Sequence, residues 1–112
     1  EEWVKKLCFC FFIEDKGCYI SLMNEEKKVE INGMSKRYDI VVYEPQGDIR
    51  LIVECKAPEV KINQETFDQI ARYNLSLNAN FLMLTNGLNH YFCQLDYENQ
   101  TYIFLKEFPN FN

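Results

Sequence analysis

Several things are scarce in this chain, and each scarcity excludes something. Glycine and proline number only 4 and 3 in 112 residues, which rules out collagen-like and linker architectures. The five cysteines, Cys8, Cys10, Cys18, Cys55 and Cys93, form no CxxC pair and no evenly partnered framework. They read as small buried residues in a reducing compartment rather than as a zinc site or a disulfide scaffold. Long apolar runs are missing too. The longest is Leu7 to Ile13, whereas a membrane span needs about 20 residues. Lys5 and Lys6 precede that run, but no small-residue cleavage site follows it, so a cytoplasmic, soluble chain with no membrane partner is expected. Basic charge is also in deficit: 12 Lys+Arg against 17 Asp+Glu give a net charge of -5. Such a chain does not hold nucleic acid by charge alone unless a partner or a further domain supplies basic surface. Asn86-Gly87 reads as a turn, and there is no glycine-rich phosphate loop to bind a nucleotide.

What is present is hydrophobic. Apolar residues make up 47% and aromatics 15%, too many for a disordered segment. The length supports one domain with a modest core, spanning 1–112. Because it begins at Glu1 with no Met, the chain reads as a piece trimmed at its N-terminus.

Glu1 to Ile13 has helical periodicity, with Trp3, Leu7 and Phe11 at four-residue spacing and Val4 and Cys8 thickening the stripe. The Phe11-Phe12-Ile13 run is equally able to begin a strand. Glu14 to Gly17 is a turn. A short strand ending near Ile31 follows, turned by Asn32-Gly33. Tyr38 to Tyr43 and Ile49 to Lys56 are strands separated by the loop Glu44–Asp48, with Pro58 closing the second. A helix from Gln64 to Leu77 buries Phe67, Ile70, Ala71, Asn74 and Leu75, and pairs Asp68 with Arg72. Strands Asn80–Thr85, Tyr91–Leu95 and Thr101–Leu105 complete the chain. The order predicts an α/β fold, a central mixed β-sheet flanked by helices. Phe9, Phe81, Phe92 and Phe104 fall in apolar patterns and read as core rather than as a base-stacking platform. His90 reads as a surface residue beside a turn, with no hydroxyl or thiol at a useful spacing.

Chemistry concentrates in Asp39 on one strand and Glu54-Cys55-Lys56 on the next. Strand alternation sends Glu54 and Lys56 to one face and Val53 and Cys55 to the other. Burying an acid and an ammonium on an otherwise apolar strand costs several kcal/mol unless they pair well. If the hairpin places Asp39 beside Glu54, the two carboxylates repel, and a hard divalent cation removes the repulsion by binding both. Mg²⁺ suits such a site because it takes few protein ligands, and Mn²⁺ can substitute. Lys56 would then orient or help deprotonate the attacking water and offset charge on a phosphoryl group. The competing reading is a solvated surface pair.

The run Lys36-Arg37-Tyr38-Asp39-Ile40-Val41-Val42-Tyr43, followed by Leu51-Ile52-Val53-Glu54-Cys55-Lys56-Ala57-Pro58, resembles the PD-(D/E)XK nuclease superfamily. More narrowly it is similar to the N-terminal nuclease-like domain of type I restriction enzyme R subunits. The similarity extends from Glu1-Glu2-Trp3-Val4 through Phe67-Asp68-Gln69-Ile70-Ala71-Arg72-Tyr73 to Phe108-Pro109. The resemblance implies a restriction-endonuclease-like core and a Mg²⁺-dependent DNA endonuclease. It implies metal ligands Asp39 and Glu54, with Glu2 from the first helix (Glu1 the alternate), and Lys56 as the catalytic lysine. A Gln-x-x-x-Tyr pair falls on Gln69 and Tyr73, implied to hydrogen-bond Lys56, the scissile phosphate or its water. Tyr38 stands where the motif's proline would be. Implied partners are DNA, other restriction-modification subunits and a helicase domain outside this chain. Lys36 and Arg37 are candidates for the DNA backbone. Two other classes stay open: an inactive DNA- or subunit-binding domain of the same fold, and a structural fragment with Gln69 and Tyr73 pointing away from Asp39.

Overall fold

A computed structural model describes residues 2–17, 20–31, 33–75 and 79–105, and only the backbone of 9, 15, 20, 31, 34 and 73. Glu1, Cys18, Asn32, residues 76–77 of the expected helix end, the side chains of Phe9 and Tyr73, and Phe108-Pro109 lie outside that description.

Helix α1 runs Glu2–Cys10 and continues as a wider π-helical turn, Phe11–Asp15, so the Phe11-Phe12-Ile13 run is helical. Six strands follow among the described residues, β1 Met23–Ile31, β2 Met34–Tyr43, β3 Ile49–Cys55, β4 Phe81–Thr85, β5 His90–Asp96 and β6 Thr101–Leu105, with α2, Gln64–Asn74, between β3 and β4. The sheet order is β1-β2-β3-β4-β5-β6. Only β3 and β4 pair in parallel, which requires a crossover, and α2 is that crossover. The other pairings are antiparallel. The expected mixed sheet flanked by helices is observed.

Each helix covers one face. Phe67 and Ala71 of α2, with Leu75 at its C-cap, pack on Val41, Ile52, Leu82, Leu84 and Cys93. Val4, Cys8 and Phe12 pack on Ile40, Val42, Leu51, Val53 and Met83 on the other face. The α1 stripe is therefore one residue away from the expected one. Trp3 and Leu7 are about half exposed, while Val4, Cys8 and Phe12 are buried at the same four-residue spacing. Phe104, expected in the core, is 44% exposed on edge strand β6, although its ring packs tilted against Phe67 and edge-on to Tyr102.

The start of α2 follows from Asn63, whose side chain accepts the Thr66 N–H at 2.8 Å. Arg72 meets Asp68 at 3.0 Å as the spacing predicts. Strand β1 is longer than its sequence suggests, since it carries Glu25, Glu26, Lys27, Lys28 and Glu30. It is an edge strand, where charged side chains reach water and deter pairing with another chain.

One irregularity in this hairpin positions the site. Met23 and Ile40 face α1, whereas Val29 and Tyr38 face α2. The β1–β2 register is constant across both halves, pairing Glu25 with Ile40 and Lys27 with Tyr38. Both strands therefore switch faces between those pairs. The switch coincides with Glu26, which takes a left-handed φ of 48°, and with Asp39.

Candidate functional site

The β2–β3 ladder ends at Ile40 opposite Val53. Just beyond it, Asp39 turns its carboxylate inward, and Oδ2 accepts the backbone N–H of Cys55 at 2.7 Å. A side chain thus completes the ladder where β2 has left it. The carboxylate lies within electrostatic reach of Cys8 and Cys55, thiols of the α1 side. The hydrogen bond to Cys8, then burial, then the nearby negative charge push the Cys55 thiol well above the usual range.

Glu54 alternates with Cys55 and so belongs to the α2 side, as Ile52 does. It is 9% exposed, and its Oε1 takes the Lys36 ammonium at 2.7 Å. Lys36 in turn stands 4.7 Å over the Tyr38 ring. The Tyr38 hydroxyl donates to Asn74 Oδ1 of α2 at 2.7 Å, and Asn74 Nδ2 donates to the Ile70 carbonyl at 2.8 Å. A polar chain thus crosses the core from β3 through β2 to α2.

The remaining predicted residues are less tightly drawn in. Lys56 follows the end of β3. Its backbone N–H donates to Thr85 O at 2.7 Å, and its half-buried side chain has no ion pair among the described residues. Gln69 is exposed on α2 and makes no hydrogen bond to Asp39, Glu54 or Lys56 among the described residues. Tyr73 lies on the same helix, but its side chain is outside the described set. Glu2 is on α1 with its carboxylate 3.3 Å from the Lys5 ammonium. Among the described residues, no three His, Cys, Asp or Glu side chains gather as a metal cage. Asp39 and Glu54 address the same stretch of β3, the first through the backbone N–H of Cys55 and the second through its own buried side chain.

Three features escape the sequence reading. Lys5 is a buried ammonium, ringed by Glu2, Glu25 at 3.7 Å and Glu26 at 3.6 Å. Burial alone would depress it, but the three carboxylates outweigh that and hold it above the ordinary lysine value. The Lys36–Glu54 pair is eighteen residues apart in sequence, beyond any local pattern. His90 is exposed as expected, yet its Nδ1 lies 2.6 Å from the Thr85 hydroxyl, which corrects the expectation that no hydroxyl stands near it. Register pairing of β4 with β5 brings the two together. They border a cavity of about 350 Å³ between α1 and the β4–β5 hairpin that holds none of the predicted site residues.

Residues 1–109 match the family model for the type I restriction enzyme R protein N terminus. The chain belongs to this R-protein N-terminal family. The fold is similar to that of a fragment assigned to an HsdR subunit of a type I restriction enzyme from Vibrio vulnificus YJ016, with a TM-score of 0.55 and 19% identity. That alignment covers 96% of this chain and 23% of the other, so this chain spans under a quarter of that fragment. No curated protein matches. As a member of the R-protein N-terminal family the chain falls in a restriction-modification setting, and none of its described helices is long and apolar enough to cross a membrane.

Proposed function

We propose that the chain is a single nuclease domain, 1–112, with a restriction-endonuclease-like core of the PD-(D/E)XK type that hydrolyses DNA phosphodiester bonds with Mg²⁺ (or Mn²⁺). The observation that carries this reading is the Asp39 carboxylate held on the backbone of Cys55, beside the buried Glu54. Family membership gives the reading its restriction-modification context.

The donor set fits a hard divalent cation. Two carboxylate-bearing residues on neighbouring strands supply oxygen donors, and the buried Glu54 already draws a cation, the Lys36 ammonium, to one of its oxygens. Asp39 and Glu54 would hold the ion, with Glu2 a further candidate from α1. The ion would activate water and offset charge on the phosphoryl oxygens. The protein's own contributions follow from its residues. Asp39 keeps its orientation through the Cys55 N–H. Lys56, adjacent to the end of β3, presents an ammonium for proton transfer and for the developing charge at phosphorus. Gln69 and Tyr73 on α2 orient the lysine or the scissile phosphate. The net charge of -5 makes DNA retention dependent on the rest of the complex, including a translocating helicase domain and the other subunits. A cytoplasmic setting follows from those partners.

Plasmid cleavage with Mg²⁺ or Mn²⁺ tests the assignment. Lys56→Ala abolishes cleavage while the thermal midpoint stays within about 2 °C of the parent, since a partly exposed lysine with no ion pair among the described residues contributes little stability. Equal cleavage by parent and variant would remove the lysine from the mechanism. DNA binding without cleavage by either would favour an inactive binding domain of the same fold.

A further inference from the structure

The Lys36–Glu54 ion pair has no part in the reading above, yet it bears directly on it. Glu54 is the one buried acid among the described residues, and its Oε1 is already held by an ammonium at 2.7 Å. That ammonium is not a loose surface charge. Tyr38 supplies a ring face 4.7 Å away, and the Tyr38 hydroxyl is fixed by Asn74 of α2. Lys36 and a divalent cation compete for that carboxylate oxygen, because their mutual repulsion in a partly buried site offsets part of what each gains there. Loading Glu54 with metal therefore means moving Lys36.

Its surroundings indicate where it would go. Register places Lys28 directly opposite Arg37 and Lys27 opposite Tyr38, so the outer part of the β1–β2 ribbon carries four cations with Lys36. Like charges directly opposed across strands are destabilising. Lys27, Lys28 and Arg37 are nonetheless exposed and make no ion pair among the described residues. Glu25 and Glu26 are engaged by Lys5 and Asp39 by the Cys55 N–H, which leaves Glu30, opposite Ser35, as the acid of the ribbon's outer part. In an acidic protein, unneutralised cations kept together on one ribbon suit a polyanion.

We propose that Lys36 is the resident counter-ion of Glu54, displaced when a divalent cation binds, and that the released ammonium takes a phosphate oxygen of DNA. This rests on the metal reading proposed above. Lys36 is then a positioning residue, coupling metal occupancy to grip on the substrate.

Calorimetric titration of Mn²⁺ into the parent, Lys36→Met and Lys36→Arg tests the first half. Methionine fills the space without competing for the carboxylate, so Mn²⁺ binds about tenfold more tightly, equivalent to about 1.4 kcal/mol. Arginine keeps the competitor and binds no more tightly than the parent. Misfolding would weaken binding in both variants and cannot imitate a gain in one. Parent-like or weaker binding by Lys36→Met overturns the counter-ion role, while metal binding by the parent leaves the nuclease reading intact. Absence of Mn²⁺ binding in all three overturns the metal reading and this inference with it. The second half is read from duplex-oligonucleotide affinity against salt, with Ca²⁺ present so that the DNA is not cut. The parent's slope exceeds that of Lys36→Met by about 0.9, the value of one phosphate contact, and the two coincide without the ion. Equal slopes with Ca²⁺ would refute the phosphate contact.

Discussion

Removing the Asp39 side chain separates its structural duty from its chemical one. Its Oδ2 accepts the Cys55 N–H at 2.7 Å, and Cys55 is 2% exposed, so that N–H has little access to replacement water. Asp39→Ala deletes a hydrogen bond to a charged acceptor, worth about 1.5–3 kcal/mol, and leaves a buried donor with no partner. Asp39 itself is half-buried, which admits some solvent and sets the expected loss near 2 kcal/mol. For a chain of this size that is a drop of about 8 °C in Tm. Asp39→Asn keeps a carbonyl oxygen in the same place and loses only the charge assistance, so its cost is about 1 kcal/mol. Urea denaturation measures both values, and hydrogen exchange at the Cys55 amide provides a local check, with alanine speeding exchange more than asparagine. Both variants lose Mn²⁺ binding on the proposed reading, because a neutral amide is a poor ligand for a hard cation. Equal stability of Asp39→Ala and parent would refute the ladder-completing role. Equal losses in the two variants would show that the charge rather than the acceptor holds β3.

Other consequences are as direct. Tyr38→Phe leaves Asn74 Oδ1 unpaired in a fully buried position and destabilises by about 1–3 kcal/mol in urea; a second substitution, Asn74→Leu, adds less than its own separate effect because the two share one bond. Gly87→Ala is costly on two counts. Its φ is +89°, and a Cβ there would stand 3.1 Å from Trp3 and Val4 side-chain atoms, so a loss of about 1–3 kcal/mol and a loosened α1 are expected by the same assay. Burial pushes the Cys93 thiol up to about 12. The unfolded thiol ionises from about 8.5, so the unfolded state sheds its proton first and stability falls as pH rises between those values, by up to about 1.4 kcal/mol per pH unit. Cys93→Ala flattens the stability curve between pH 9 and 10, and an unchanged curve would show that the thiol does not drive it.

The parts of the fold that sequence made legible are those set by local pattern. Helix α2 starts at Gln64 as expected because Asn63 caps it, and the Phe67/Ala71/Leu75 stripe meets the sheet because a 3.6-residue period leaves one apolar face. The one-residue rotation of α1 was not legible, since Trp3 and Leu7 satisfy the same period as Val4 and Cys8. Only the choice of covered face decides between them, and that is a tertiary matter. The site was legible to a similar depth. Asp39, Glu54 and Lys56 are found on, or just after, adjoining strands, but strict alternation predicts a simpler arrangement than the one formed. The left-handed backbone of Glu26 switches both strands of the β1–β2 hairpin from one face to the other. Glu26 has no glycine-like signature to announce this, and its side chain is engaged by the buried Lys5 of α1. The switch turns Tyr38 and Lys36 toward α2, where Lys36 finds Glu54, and frees Asp39 to complete the ladder at Cys55. A strained residue held by an ion pair to another element is the kind of feature that a fold maintains at a cost, about 1 kcal/mol or more for a left-handed non-glycine residue. In this hairpin the strain falls beside the two carboxylates on which the proposed chemistry depends.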